Sequence, residues 1–204
     1  MTLVTVTKDD RDWAEDHDED GDTLPAWYPA EGDWTVEHLA LMPENLVRHE
    51  IYDGVLVVSP SPTPRHQDVV GNIYVLLREH CPDHLKVFVS PLDFQPAHTR
   101  SFQPDVMVCR RDSIGQKNVT VPPLLVVEVA SPTTRRFDQI LKREMYRTSG
   151  VASYWIVDPD PVTVEAMDLV DGEYRTVAKA AGPDRVRIGL PYPMEICPAD
   201  LLAD

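Results

Sequence analysis

At 204 residues the chain is long enough for one domain with a sizeable core. It holds no apolar run of 18 residues and no charged-then-apolar leader, which argues against a membrane span or secretory signal and for a cytoplasmic location. The formal charge of -15 looks hostile to nucleic acid, but residues 1–45 carry 13 acidic side chains against two basic ones, and the rest only 21 against 17.

In chain order, residues 1–32 show no sustained periodicity and read as a largely irregular, acidic arm. It is first a solvating tail; a mask over a basic site and a partner-binding segment are the alternatives. Trp13, Trp27 and Tyr28 could anchor it onto a domain formed by residues 33–204. DWTVEHLALMPEN predicts a short helix capped by Asp33 or Thr35. LVRHEIYDGVLVVSPSP alternates like a hairpin with Asp53-Gly54 at its turn and Val47, Ile51, Val55 and Val57 facing the core. Glu50, beside that turn, reads as a surface residue; the functional alternative sets it over the same site as Asp105.

RHQDVVGNIYVLLREHC predicts an amphipathic helix with Val69, Val70, Ile73, Val75, Leu76 and Leu77 on its apolar face. His66, in its first turn, reads as a capping or surface residue. Three strand-like runs follow, LKVFVSPLDFQ, FQPDVMVCR and PLLVVEVAS. The last is almost continuously apolar, as in a central strand covered on both faces, with Val126, Glu128 and Ala130 on one side and Leu125, Val127 and Val129 on the other.

SPTTRRFDQILKREMYRTSG predicts a helix capped by Ser131 or Thr133 and ended by Gly150, with Phe137, Ile140, Leu141 and Met145 as its buried stripe. SYWIVDP is a further buried strand, reached by a right-handed parallel crossover, and VTVEAMDLVDGEYRTVA is a second hairpin turning at Asp171-Gly172. Cys81, Cys109 and Cys197, odd in number and without CxxC spacing, read as reduced structural thiols.

The chemistry gathers between Gln103 and Lys142. A glutamate inside LLVVEVA costs several kcal/mol to bury as an anion unless a metal or a cation partners it. Asp105 and Glu128 on neighbouring strands would offer the hard oxygen ligands that Mg2+ or Mn2+ accepts, and such an ion can activate a water against a phosphate. Lys142, on the following helix, can reach back to Glu128 as the cation of the site, steadied by Asp138 four residues earlier. That helix also carries Arg135, Arg136, Arg143 and Arg147, a basic surface suited to a phosphate-bearing substrate.

Helix, three strands with Asp in the second and Glu in the third, helix, strand: this order resembles the core of the PD-(D/E)XK nuclease fold. Pro104-Asp105 looks like its PD, and Glu128-Val129-Ala130 stands in the place of its (D/E)XK. The stretches HEIYDGVLVVSPSPTPRHQ, QPDVMV, PPLLVVEVASPTTRRFD and LKREMYRTSGVASYWIVDP are similar to one branch, the Uma-two family of restriction-endonuclease-like proteins. The resemblance implies an α/β fold with a restriction-endonuclease-like αβββαβ core, its mixed central β-sheet flanked by helices and extended by hairpins. It further implies a Mg2+- or Mn2+-dependent endonuclease that hydrolyses phosphodiester bonds of DNA, with Glu50 and His66 near the site.

Ala130 departs from the family pattern, since a lysine belongs there, and Lys142 is the carrier of the displaced role. The competing reading is a catalytically inactive nuclease-fold protein, a binding or regulatory module in a homodimer. No helix-turn-helix or zinc-finger motif is visible, so base recognition would fall to a partner protein.

Overall fold

The computed structural model describes residues 4–6, 25, 27–29, 32–43, 47–59, 61–131 and 138–202. The first elements are β1 (Val4–Val6), α1 (Val36–Leu41), β2 (Arg48–Tyr52) and β3 (Val55–Ser59), then the long helix α2 (Pro64–His80) and strand β4 (Leu85–Val89). A hairpin of β5 (Phe94–Ala97) and β6 (Arg100–Phe102) precedes β7 (Val106–Arg110) and β8 (Leu125–Val129). A π-helical turn over Asp138–Lys142 runs into helix α3 (Arg143–Thr148). The chain continues with β9 (Ser153–Pro159), the hairpin β10 (Val162–Val170) and β11 (Glu173–Ala181), and the closing pair β12 (Val186–Ile188) and β13 (Met194–Ile196). These elements fall into two units, residues 1–61 with 95–102 and residues 62–94 with 103–204.

The first unit holds a five-stranded sheet in the order β1-β3-β2-β6-β5. Its β2–β3 hairpin turns at Asp53 and Gly54, with φ of 48° and 84°, the left-handed pair that the Asp-Gly sequence favours. Tyr28, Trp34, Ile51 and Leu56 form its core. Trp27 and Tyr28 pack against Trp34 with ring centroids 6.4 and 5.4 Å away, so these two aromatics do anchor the chain that precedes the helix, while Trp13 lies outside the described residues.

Four features of this unit differ from the sequence expectation. Val4–Val6 is a strand paired antiparallel with β3, too short a run for alternation to reveal. Val47 is exposed, standing just ahead of β2 rather than on its inner face. Glu50 is no surface residue: it is 1% exposed and paired with Arg48 at 3.2 Å. The hairpin β5–β6 was hidden by Pro96 within one strand and by a polar tip at His98 and Thr99.

Gly54 makes a testable case. Besides its positive φ, a Cβ there would lie 2.4 Å from the Cβ of Asp33, an atom too close to its own backbone to swing aside. Gly54→Ala is expected to destabilise the protein by about 2–4 kcal/mol, backbone strain and overpacking together. Gly172→Ala, at φ of 80° but with nothing within 4 Å, should lose only about 1–2 kcal/mol, from the backbone alone. Urea midpoints of the two variants would check the difference.

The second unit is built on a six-stranded mixed sheet in the order β11-β10-β9-β8-β7-β4, in which β8 and β9 run parallel and the other pairs antiparallel. Helix, three strands, helix and strand appear as α2, β4, β7, β8, α3 and β9, the order expected for a restriction-endonuclease-like core. Helix α2 starts where Thr63 Oγ1 accepts the His66 backbone N–H at 3.3 Å, with Pro64 in its first turn. It buries Val69, Val70, Ile73 and Leu77 against Leu125, Val127 and Val129 of β8 and their neighbours on β4 and β7. Val75 instead faces solvent, because the buried positions follow the three-and-four spacing of one face and Val75 falls outside it.

All three cysteines are free thiols, and burial pushes the Cys109 thiol on β7 up to about 12, which suits a structural residue.

The opposite face of β8 receives α3, and here the expected stripe is partly wrong. Ile140 is 71% exposed, whereas Lys142, Met145 and Tyr146 are buried. The π-helical turn widens the repeat over Asp138–Lys142 and shifts the phase of the helix, so a 3.6-residue periodicity carried through it points to the wrong side chains. Phe137 lies outside the described residues.

Candidate functional site

Strand β8 places its five residues, Leu125 to Val129, wholly inside the protein, and Glu128 is 1% exposed. An ionised carboxylate at such a position needs both a counter-charge and hydrogen bonds to offset lost hydration. Both come from one helical face. Lys142 Nζ donates to Glu128 Oε2 at 2.7 Å, and the Tyr146 hydroxyl donates to Oε1 at 2.5 Å. Lys142 is itself 5% exposed, and its backbone is already α-helical at φ -61° and ψ -40°, so Lys142 and Tyr146, four residues apart, stand on one side of the helix. The lysine therefore enters from the helix, while Ala130, in the place of a motif lysine, is a buried small residue whose N–H continues the ladder to Val157.

Asp105 stands just before β7. The β7–β8 register pairs Val106 with Val127, and continuing it by one pair sets Asp105 opposite Glu128. The residue is tied at three atoms. Its carbonyl accepts the Ser90 N–H beyond the end of β4 at 3.1 Å, and Oδ2 accepts the Val129 N–H of β8 at 2.8 Å. Its Oδ1 lies 3.5 Å from Nε2 of His66 in the first turn of α2. Asp105, Glu128, Lys142, His66 and Tyr146 thus gather where β4 and β8 end and β7 begins.

Glu50 belongs to the first unit, where Arg48 pairs with it. Arg143 donates to the Tyr174 carbonyl on β11 at 2.9 Å, and Arg147 is bound by Glu144 and by the Gly172 carbonyl at 2.6 Å, so both brace the helix against the β10–β11 hairpin. Arg135 and Arg136 lie outside the described residues, and so does the side chain of Asp138. Tyr146 carries no motif that marks it in the sequence, although its spacing of four from Lys142 signals that it shares the lysine's face.

The family model Uma2, described as "Putative restriction endonuclease", matches residues 36–198. Among solved structures, the chain is similar to a protein of Anabaena variabilis described as a putative nuclease belonging to DUF820. The TM-score is 0.67 at 17% identity over 82% of this chain and 97% of that one, a likeness that carries the fold. No curated protein matches the chain.

Proposed function

The chain belongs to the Uma2 family, and from that premise we propose that it is a divalent-metal-dependent endonuclease that hydrolyses phosphodiester bonds of DNA. The observation that carries this reading is the buried Glu128 held by Lys142 at 2.7 Å, with Asp105 at the opposing position of the next strand. It supplies the two acids and the cation of a PD-(D/E)XK site although Ala130 interrupts the motif.

The donor set fits a hard ion. Among the described residues no group of three His, Cys, Asp or Glu side chains forms a ready cage. Mg2+, however, is commonly held by one or two carboxylates together with waters and substrate phosphate, and Asp105 and Glu128 are such a pair. When bound, the ion would lower the pKa of a water and offset charge on the phosphate oxygens. The chain's own groups do the rest. The Val129 N–H fixes one oxygen of Asp105, Tyr146 fixes one oxygen of Glu128, and Lys142 supplies a positive charge where negative charge develops on the phosphate. His66, beside Asp105, would act as a supporting residue.

The closed Lys142–Glu128 pair also favours a second reading, a nuclease fold that has become a binding or regulatory module, since a lysine that never leaves the carboxylate would keep a metal out. Ligand that binds only the folded state raises stability by about 2.7 kcal/mol at a concentration 100 times its Kd, which separates the two readings. Mn2+ is expected to raise the melting temperature of the parent and of Glu19→Ala, in the acidic arm, but not that of Asp105→Ala. Equal shifts in all three proteins would put the ion on the arm or elsewhere and remove the main support for the site.

A further inference from the structure

Helix α3 puts a second donor on the carboxylate that Lys142 neutralises. Tyr146 is fully buried, and its ring packs on Tyr154 at a centroid distance of 5.3 Å, which in turn packs on Tyr174 at 5.8 Å. Its hydroxyl is therefore held in place by the packing of its ring and is not free to swing. It meets Glu128 Oε1 at 2.5 Å, the short contact expected when a hydroxyl donates to an anion. We propose that Tyr146 is a positioning residue of the site: its phenol fixes Oε1 of Glu128, so that the carboxylate keeps its orientation when Lys142 exchanges its place on Oε2 for a divalent cation. This inference rests on the nuclease reading, with Glu128 as a metal ligand.

The geometry assigns different tasks to the two donors. Lys142 is a flexible stem with a compact charge, attached at the junction of the π-helical turn and α3, and a competing cation can displace it. Tyr146 is rigid, uncharged and inside the regular helix. A carboxylate oxygen has two lone-pair directions, so Oε1 can accept the phenol and still offer the second to an ion. Partners of this kind, which touch a metal's ligand rather than the metal, typically change metal affinity 10- to 100-fold when removed.

The test compares Tyr146→Phe with Tyr174→Phe. Tyr174 is also buried, and its hydroxyl donates to the Val151 carbonyl at 2.8 Å, so its variant loses a phenolic hydrogen bond outside the site. Metal-free melting temperatures should fall by similar amounts. Mn2+ affinity, read from the free-ion electron paramagnetic resonance signal, should weaken about 10- to 100-fold in Tyr146→Phe alone. A parent that binds Mn2+ and a Tyr146→Phe that binds it equally well overturn this inference and leave the nuclease reading standing. A parent that takes up no Mn2+ at all overturns the nuclease reading and the role built on it. Should Tyr146→Phe fail to fold, 3-fluorotyrosine at position 146 keeps ring and hydroxyl but alters the strength of the donor; Mn2+ affinity must then move, and an unchanged value overturns the inference.

Discussion

Lys142→Ala is expected to slow Mn2+-dependent cleavage by about 100-fold or more, the usual loss when one preorganised charge-stabilising group is removed. The reason lies in the low-dielectric position of Lys142, whose ammonium is buried beside Glu128 rather than solvated on the helix surface. The same substitution leaves a buried carboxylate without its cation, which typically costs about 3–5 kcal/mol, so the metal-free variant should melt well below the parent. Mn2+ should then stabilise the variant more than it stabilises the parent, because the ion no longer competes with an ammonium for Glu128. Lys142→Arg should recover only part of the rate: it keeps the charge, but the planar guanidinium cannot occupy the compact space of the ammonium. Single-turnover rates on labelled plasmid, with metal titrations on the same preparations, measure all of this. A Lys142→Ala protein that cleaves at the parental rate would rule the residue out.

The sequence made the second unit legible because its chemistry and its periodicity agree. A glutamate in an apolar strand predicts a buried anion in need of a cation, and reach along the next helix identifies Lys142, whose ammonium the structure brings to 2.7 Å from that glutamate. The alternation in LLVVEVA gave the two faces of β8 correctly, and the Asp-Gly turns at 53–54 and 171–172 adopt the left-handed backbone that the dipeptide favours.

What stayed hidden has physical causes of three kinds. The π-helical turn changes the helical phase, so a periodicity carried through it turns Ile140 inward, where the structure exposes it. The strands β1, β5 and β6 are only three or four residues long, at or below the shortest run in which alternation is a signal. Glu50 is buried through an ion pair with Arg48, two residues away on the same strand face, a pairing that an alternating pattern of apolar residues does not announce.

Asp105→Asn is expected to abolish Mn2+ binding and to reduce cleavage by at least about 1000-fold while sparing the fold, because in the proposed site it removes a ligand of the ion and not merely one donor to the substrate. The local hydrogen bonds make this substitution unusually clean. The Val129 N–H needs an acceptor, and an asparagine carbonyl can take over from Oδ2 at the same distance of 2.8 Å. That choice fixes the amide orientation and turns the NH2 group toward the position of Oδ1, which faces His66. A donor now stands where an ion would require an oxygen, so the variant excludes the metal by its own anchoring bond. Asp105→Ala lacks this control, since it leaves the buried Val129 N–H without its carboxylate partner and lowers stability as well. Metal-free Asp105→Asn should therefore melt close to the parent, with no gain on adding Mn2+ and no cleavage at any metal concentration that saturates the parent. An Asp105→Asn protein that Mn2+ still stabilises to the parental extent would show that the ion does not bind through Asp105, and the pairing of Asp105 with Glu128 would then be structural.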